Sequence, residues 1–143
     1  MKFHRETDGR LLVSLTRGEP VRASLEQLAL EQGLVAAQVV AIGALQDPEL
    51  GCWDLEQKTY HKRVLSGVWE LLSLQGNLSL HEGKPFLHAH VLLSGADYQA
   101  LGGHFFEARV GVVLEMFVLP YPTPLPRRFC PELGLPRWEP GGN

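Results

Sequence analysis

Apolar residues recur along this chain in two different periods, and the switch between them outlines the fold. In residues 9–20, GRLLVSLTRGEP, Leu11, Val13 and Leu15 alternate with Leu12, Ser14 and Thr16 ahead of Gly18 and Pro20, which predicts a short strand closed by a turn. Residues 20–33, PVRASLEQLALEQG, change to helical spacing. Val21, Leu25 and Leu28 form one stripe, Pro20 suits the first turn and Gly33 the stop. That stripe requires a sheet to cover.

Strand patterns dominate after residue 33. LVAAQVVAI (34–42), ELGCWDL (49–55), KTYHKRVL (58–65), VWELLSLQGNLSL (68–80), FLHAHVLL (86–93) and VGVVLEMFVL (110–119) each read as a strand. Several are separated by only a few turn residues, too few for parallel crossovers, so antiparallel neighbours and an α+β class are expected. From Pro120 the texture changes, because seven of the ten prolines fall between there and the end, a density that forbids regular helix or central strand. The expected organisation is one domain over 1–120 and an extended tail over 121–143. Phe129, Leu133, Leu135 and Trp138 give that tail the means to pack on the domain or on a neighbouring subunit.

At 143 residues the chain has the common size of one domain that needs no disulfide or metal staple. The formal net charge of −3 gives no general attraction to phosphate backbones or anionic membranes. The longest apolar runs are too short to span a bilayer and are broken by Gln38 and Glu115, so no membrane span is expected. The first ten residues are polar, and Cys52 and Cys130 form neither a CxxC pair nor a disulfide framework, which points to a reducing cytoplasm.

The candidate chemistry lies in PFLHAHVLLSGADYQALGGHF, residues 85–105, which holds three of the six histidines. On a strand, His88 and His90 project from one face with Cα atoms roughly 6.6 Å apart, a gap from which two imidazoles can converge on one ion. His104 follows a turn-rich segment, GADYQAL, that reads either as a helical turn or as a loop. Gly102 and Gly103 just before it permit close backbone approach or a positive φ. Three histidines without a nearby cysteine suit zinc, or nickel or cobalt, with a fourth position left open for water or a substrate oxygen. The alternative is three strand and turn histidines bonded to backbone carbonyls. His4, His61 and His81 lie among charged or turn neighbours and are expected at the surface.

Glu70 in VWELLSL and Glu115 in VVLEMFV interrupt apolar runs. A buried carboxylate needs a partner, and ligating histidines commonly pass their second N–H to one, so these two are the candidates for orienting the imidazoles or moving protons. The alternative is that each faces solvent or an arginine at a subunit interface.

Taken together, GVWELLSLQGNLSL (67–80), HAH (88–90), GGH (102–104) and VGVVLEMFV (110–118) resemble, in the same order, the pattern of the PPC domain, the plants and prokaryotes conserved domain. VSLTRGEPV and PRRF extend the resemblance to nearly the whole chain, while Val68 and Trp69 stand where plant members have Arg and Phe. The resemblance implies an antiparallel sheet with flanking helices, a fold similar to acetolactate decarboxylase, and a homotrimer. It implies metal ligands at His88, His90 and His104. Plant members add AT-hooks with an Arg-Gly-Arg-Pro core, but RGEP at 17–20 has Glu19 in the second arginine's place, so this chain resembles the type that stands alone without a hook.

Three functions follow as expectations. The first is a trimeric binding or regulatory module with a metal site and a small-molecule ligand. The second is a zinc lyase or hydrolase acting on a small carbonyl metabolite. The third is DNA binding by a trimer that gathers Lys62, Arg63, Arg127 and Arg128 into one basic patch.

Overall fold

Leu11, Val13 and Leu15 are buried in the first predicted strand, and Val21, Leu25 and Leu28 in the predicted helix, so the two periods read from the sequence mark the two surfaces that meet in the core. The computed structural model describes residues 1–141. In order, its elements are β1 (Lys2–Arg5), β2 (Leu11–Thr16), α1 (Val21–Glu31), β3 (Ala37–Asp54), β4 (Thr59–Val64), β5 (Val68–His81), β6 (Lys84–Ser94), β7 (Ala100–Pro120), β8 (Pro126–Cys130) and β9 (Leu135–Trp138). The class is α+β, with a single helix among the described residues against a sheet that is antiparallel except where β8 runs parallel to the end of β5.

The sheet closes on itself. Strand β3 pairs with both β5 and β7, and β6 pairs with the same two strands, so β7, β3, β5 and β6 form a circuit around the core. Leu74, Leu78, Leu87, Leu93, Phe105 and Leu114 fill its interior.

Two strands are longer than the pattern predicts. The runs at 34–42 and 49–55 are parts of one strand, β3, which passes Asp47 and Pro48 through register shifts instead of ending there. A bulge is where a sheet tolerates proline, and Asp47 takes a left-handed φ of 50° at this one. Strand β7 begins at Ala100, well before the predicted 110, because residues 95–99, GADYQ, make a tight turn and not a helix, and Ala100 and Leu101 already pair with β6.

Helix α1 starts at Val21 with Pro20 as its N-cap, and Pro20 has no side chain to satisfy the first amides. Glu107 of β7 supplies that group, accepting from the amides of Arg22 at 2.9 Å and Ala23 at 3.2 Å. The helix ends as predicted at Gly33, whose φ of 64° lets the Leu34 amide reach back to the Ala29 carbonyl at 2.8 Å.

The Pro-rich tail folds back on its own domain as a two-strand hairpin, β8 with β9. Its anchor is Arg127, only 9% exposed, which donates to Ser79 Oγ at 2.7 Å, Asn77 Oδ1 at 3.1 Å and the Pro136 carbonyl at 3.3 Å. Cys52 and Cys130 are free cysteines. Among the described residues no helix is long and apolar enough to cross a membrane.

Candidate metal centre

Strand β6 alternates Leu87, Ala89 and Val91 into the core, which turns His88 and His90 to its other face. Strand β7 lies antiparallel to it with His90 and His104 as direct partners, so three imidazoles share one face of two neighbouring strands. The ring centroids stand 5.4 Å (His88–His90), 5.1 Å (His88–His104) and 5.4 Å (His90–His104) apart. One nitrogen from each ring can be chosen so that all lie within 4.8 Å of one another. Two nitrogens bonded to one ion at about 2.1 Å can be at most about 4.2 Å apart, so small ring rotations complete the approach.

The close approach rests on the glycines before His104. A Cβ on Gly102 would lie 2.4 Å from the Val91 carbonyl oxygen, and one on Gly103 would lie 3.1 Å from that of Gly51. Neither glycine has a positive φ, so of the two reasons the sequence offered, close backbone contact is the one that applies.

Pairing between β6 and β7 stops at His90 and His104, and the strands splay beyond that point. Helix α1 fills the gap. Arg22 donates to the carbonyls of Phe106 at 2.6 Å and Phe105 at 3.2 Å on one side, and Glu26 accepts from the Leu87 amide at 3.0 Å on the other. The splayed backbone groups are thereby satisfied, and His88 is held away from the β7 backbone.

The rings line a cleft of about 850 Å3. Its walls include Trp53 and Tyr60 from the β3–β4 hairpin, Phe106 from β7, and Arg127 and Leu135 from the tail hairpin. Tyr60 packs against His104 with centroids 4.8 Å apart, and Phe106 lies 4.8 Å from the same ring. His104 is 8% exposed, His88 is half-buried and His90 is exposed, so the site is open on one side.

Burial pushes His88 down to about 4, helped by the Arg127 charge, then by His90 and Arg22. His104 is pushed down to about 4 by burial first, then by His88 and His90. Both are therefore neutral at pH 7, the form that donates a lone pair to a metal. Burial raises Tyr60 and lowers Arg127. The donor set fits a divalent ion of the zinc type, with three neutral imidazoles and an open side.

Glu70 and Glu115 do not join this centre. Both are exposed, and neither lines the cleft. Strand alternation explains the difference: Leu71 and Leu114 turn inward, which turns Glu70 and Glu115 outward, the latter beside Lys2 and His4 in a separate groove. Of the histidines expected at the surface, His4 and His61 are exposed, His61 also lining the cleft 3.1 Å from Asp54, and His81 is half-buried with an unpartnered Nδ1. The sequence places Arg127 with Arg128 in one basic patch, but β8 turns Arg127 into the cleft. The pairing of β8 with β5 that achieves this is too distant in sequence to be visible there.

The sequence profile of the Plants and Prokaryotes Conserved (PCC) domain matches residues 4–122. No protein with a curated description matches the chain. Among solved structures, a metal-containing protein of Archaeoglobus fulgidus is 40% identical, with a TM-score of 0.87 and 97% of this chain and 99% of that one covered. A plant- and prokaryote-conserved protein of Pyrococcus horikoshii is 30% identical, with a TM-score of 0.86 over 99% and 97% of the two chains. A protein of Ralstonia eutropha JMP134, described provisionally as DNA-binding, is 29% identical, with a TM-score of 0.90 over 96% and 95%.

Proposed function

The chain belongs to the Plants and Prokaryotes Conserved domain family, and from that premise we propose that it is a homotrimeric binding module that holds a divalent ion, zinc, at His88, His90 and His104 and receives a small molecule there. The observation that carries the reading is the convergence of three imidazole nitrogens within 4.8 Å at the wall of an open cleft. The metal content of the Archaeoglobus relative supports it. A zinc ion held by three histidines supplies an open position that accepts an anionic oxygen and polarises a carbonyl. The chain's own residues do the rest: Tyr60 and Phe106 fix the His104 ring, the Arg22 and Glu26 wedge fixes the spacing of His88, and the aromatic wall limits water.

The homotrimer is supported by an outward face of the central strands. Leu12 and Phe117 are register partners there, Val40 pairs with Phe117, and Phe117 and Ile42 are 58% and 57% exposed. Apolar side chains at that density on strands β2, β7 and β3 call for cover by other copies. In this reading residues 1–120 are the domain and 121–143 the tail, of which the β8–β9 hairpin completes the cleft, residues 142–143 lying outside the described residues. The setting is cytoplasmic.

The reading favours binding over lyase or hydrolase chemistry because no carboxylate lines the cleft among the described residues. DNA binding has the Ralstonia description in its favour. Against it, Arg128 pairs with Glu139, Lys62 pairs with Glu49 at 3.4 Å and Arg127 is buried, which leaves Arg63 alone of the four basic residues.

Elemental mass spectrometry on untagged protein tests the metal. Wild type is expected to carry one equivalent of a divalent ion, and His88→Ala and His104→Ala are expected to lose it. Metal-free wild type after incubation with zinc would end the reading.

A further inference from the structure

The cleft has a one-sided charge. Arg22, Arg63 and Arg127 line it, and no aspartate or glutamate does among the described residues. Their one ion pair there is Arg22 with Glu26 at 3.5 Å. Arg127 has five N–H donors and gives three to neutral oxygens of Ser79, Asn77 and Pro136, so a buried guanidinium keeps its charge without a counter-anion. Asn77, which holds it, is the register partner of His88 across β5 and β6, so the guanidinium sits beside the triad.

The cleft wall also holds an unpartnered donor: Trp53 has a buried Nε1 with no hydrogen bond. The remaining walls are apolar and aromatic. Phe86 lies under two guanidinium groups, with Arg22 and Arg127 at 5.2 Å and 5.1 Å from its ring centre, and Tyr60 and Phe106 stand 4.9 Å apart. A volume of about 850 Å3 is that of a site for a ligand with a substantial body, larger than a simple ion requires.

We propose that the ligand of this cleft is an organic carboxylate with an aryl or alkyl body, its carboxylate seated between the imidazole triad and Arg127 and its body against the Tyr60 and Phe106 wall. The assignment rests on the metal-binding reading of the triad and adds the class of molecule the site takes. A carboxylate supplies the missing counter-charge, matches the planar donor face of a guanidinium, and offers oxygen to a divalent ion.

Titration calorimetry on the zinc-supplemented full chain tests it with benzoate, hexanoate, benzamide and phenyl phosphate as probes, and elemental analysis is run on the same samples. Benzoate or hexanoate is expected to bind and benzamide, the neutral isostere, is not. Arg127→Gln is expected to weaken the carboxylate about ten-fold or more while Arg128→Gln leaves it unchanged. Equal binding of benzamide overturns the proposal. So does binding of phenyl phosphate alone, an unchanged Arg127→Gln, or no carboxylate binding tighter than about 10 mM. If Arg127→Gln does not fold, the benzoate and benzamide comparison on wild type decides. Metal present without carboxylate preference defeats this inference alone, whereas Arg127-dependent carboxylate binding without metal defeats the metal reading alone.

Discussion

The Arg22 guanidinium donates to the Phe106 carbonyl at 2.6 Å, two residues past His104 and just where β7 has parted from β6. A helix side chain thus completes the hydrogen bonding of a sheet that has opened to make room for a site. Replacing Arg22 by Met removes its bonds to the Phe105 and Phe106 carbonyls. The expected cost is about 1.5–3 kcal/mol of stability, read by urea denaturation, together with weaker metal retention in a chelator competition.

Gly102→Ala puts a methyl group 2.4 Å from the Val91 carbonyl oxygen, a backbone atom that cannot turn aside. The strands must separate beside His104. A loss of about 1–3 kcal/mol is expected, with metal content falling along with it. Gly141→Ala is the control, since its added Cβ meets nothing within 4 Å and its backbone is outside the left-handed region.

His88 and His104 are both held near 4, below the ordinary 6.5, chiefly by burial. Between those values the unfolded chain binds protons that the folded chain refuses, so stability falls as pH drops from about 6.5 to about 4 and is fully present above 6.5. Thermal melts in chelator across this range are expected to show a steeper decline for wild type than for the His88→Gln, His104→Gln double variant. Equal slopes would contradict the burial of these rings.

Phe117→Lys places a charge at the centre of the exposed apolar face formed by Leu12, Val40 and Ile42. Sedimentation is expected to show trimers for wild type and smaller species for this variant. Leu30→Lys, on the exposed side of α1, is expected to leave assembly unchanged.

The triad was legible because its logic is local: alternate residues of a strand share a face, and a double glycine before a third histidine marks close backbone contact. The carboxylates misled for the same local reason. Glu70 and Glu115 sit in apolar runs, but Val68, Leu72, Val113 and Phe117 in those runs are themselves exposed, so an unbroken apolar stretch marked a strand with two apolar faces and not a buried one. Arg127 was hidden for the opposite reason. Beside Arg128 it reads as a solvated pair, and only the contact of β8 with β5, some 46 residues earlier in register at His81, turns one of the two inward. The single strand β3 was missed because Asp47 and Pro48 are turn residues that a bulge also accepts.

X-ray absorption at the zinc edge of the zinc-loaded wild-type protein tests the central claim most directly. The account predicts three imidazole nitrogens at about 2.0–2.1 Å and a lighter fourth contact from oxygen, reduced to two imidazoles or lost in His104→Ala. A shell containing sulfur, or one unchanged by His104→Ala, would contradict it.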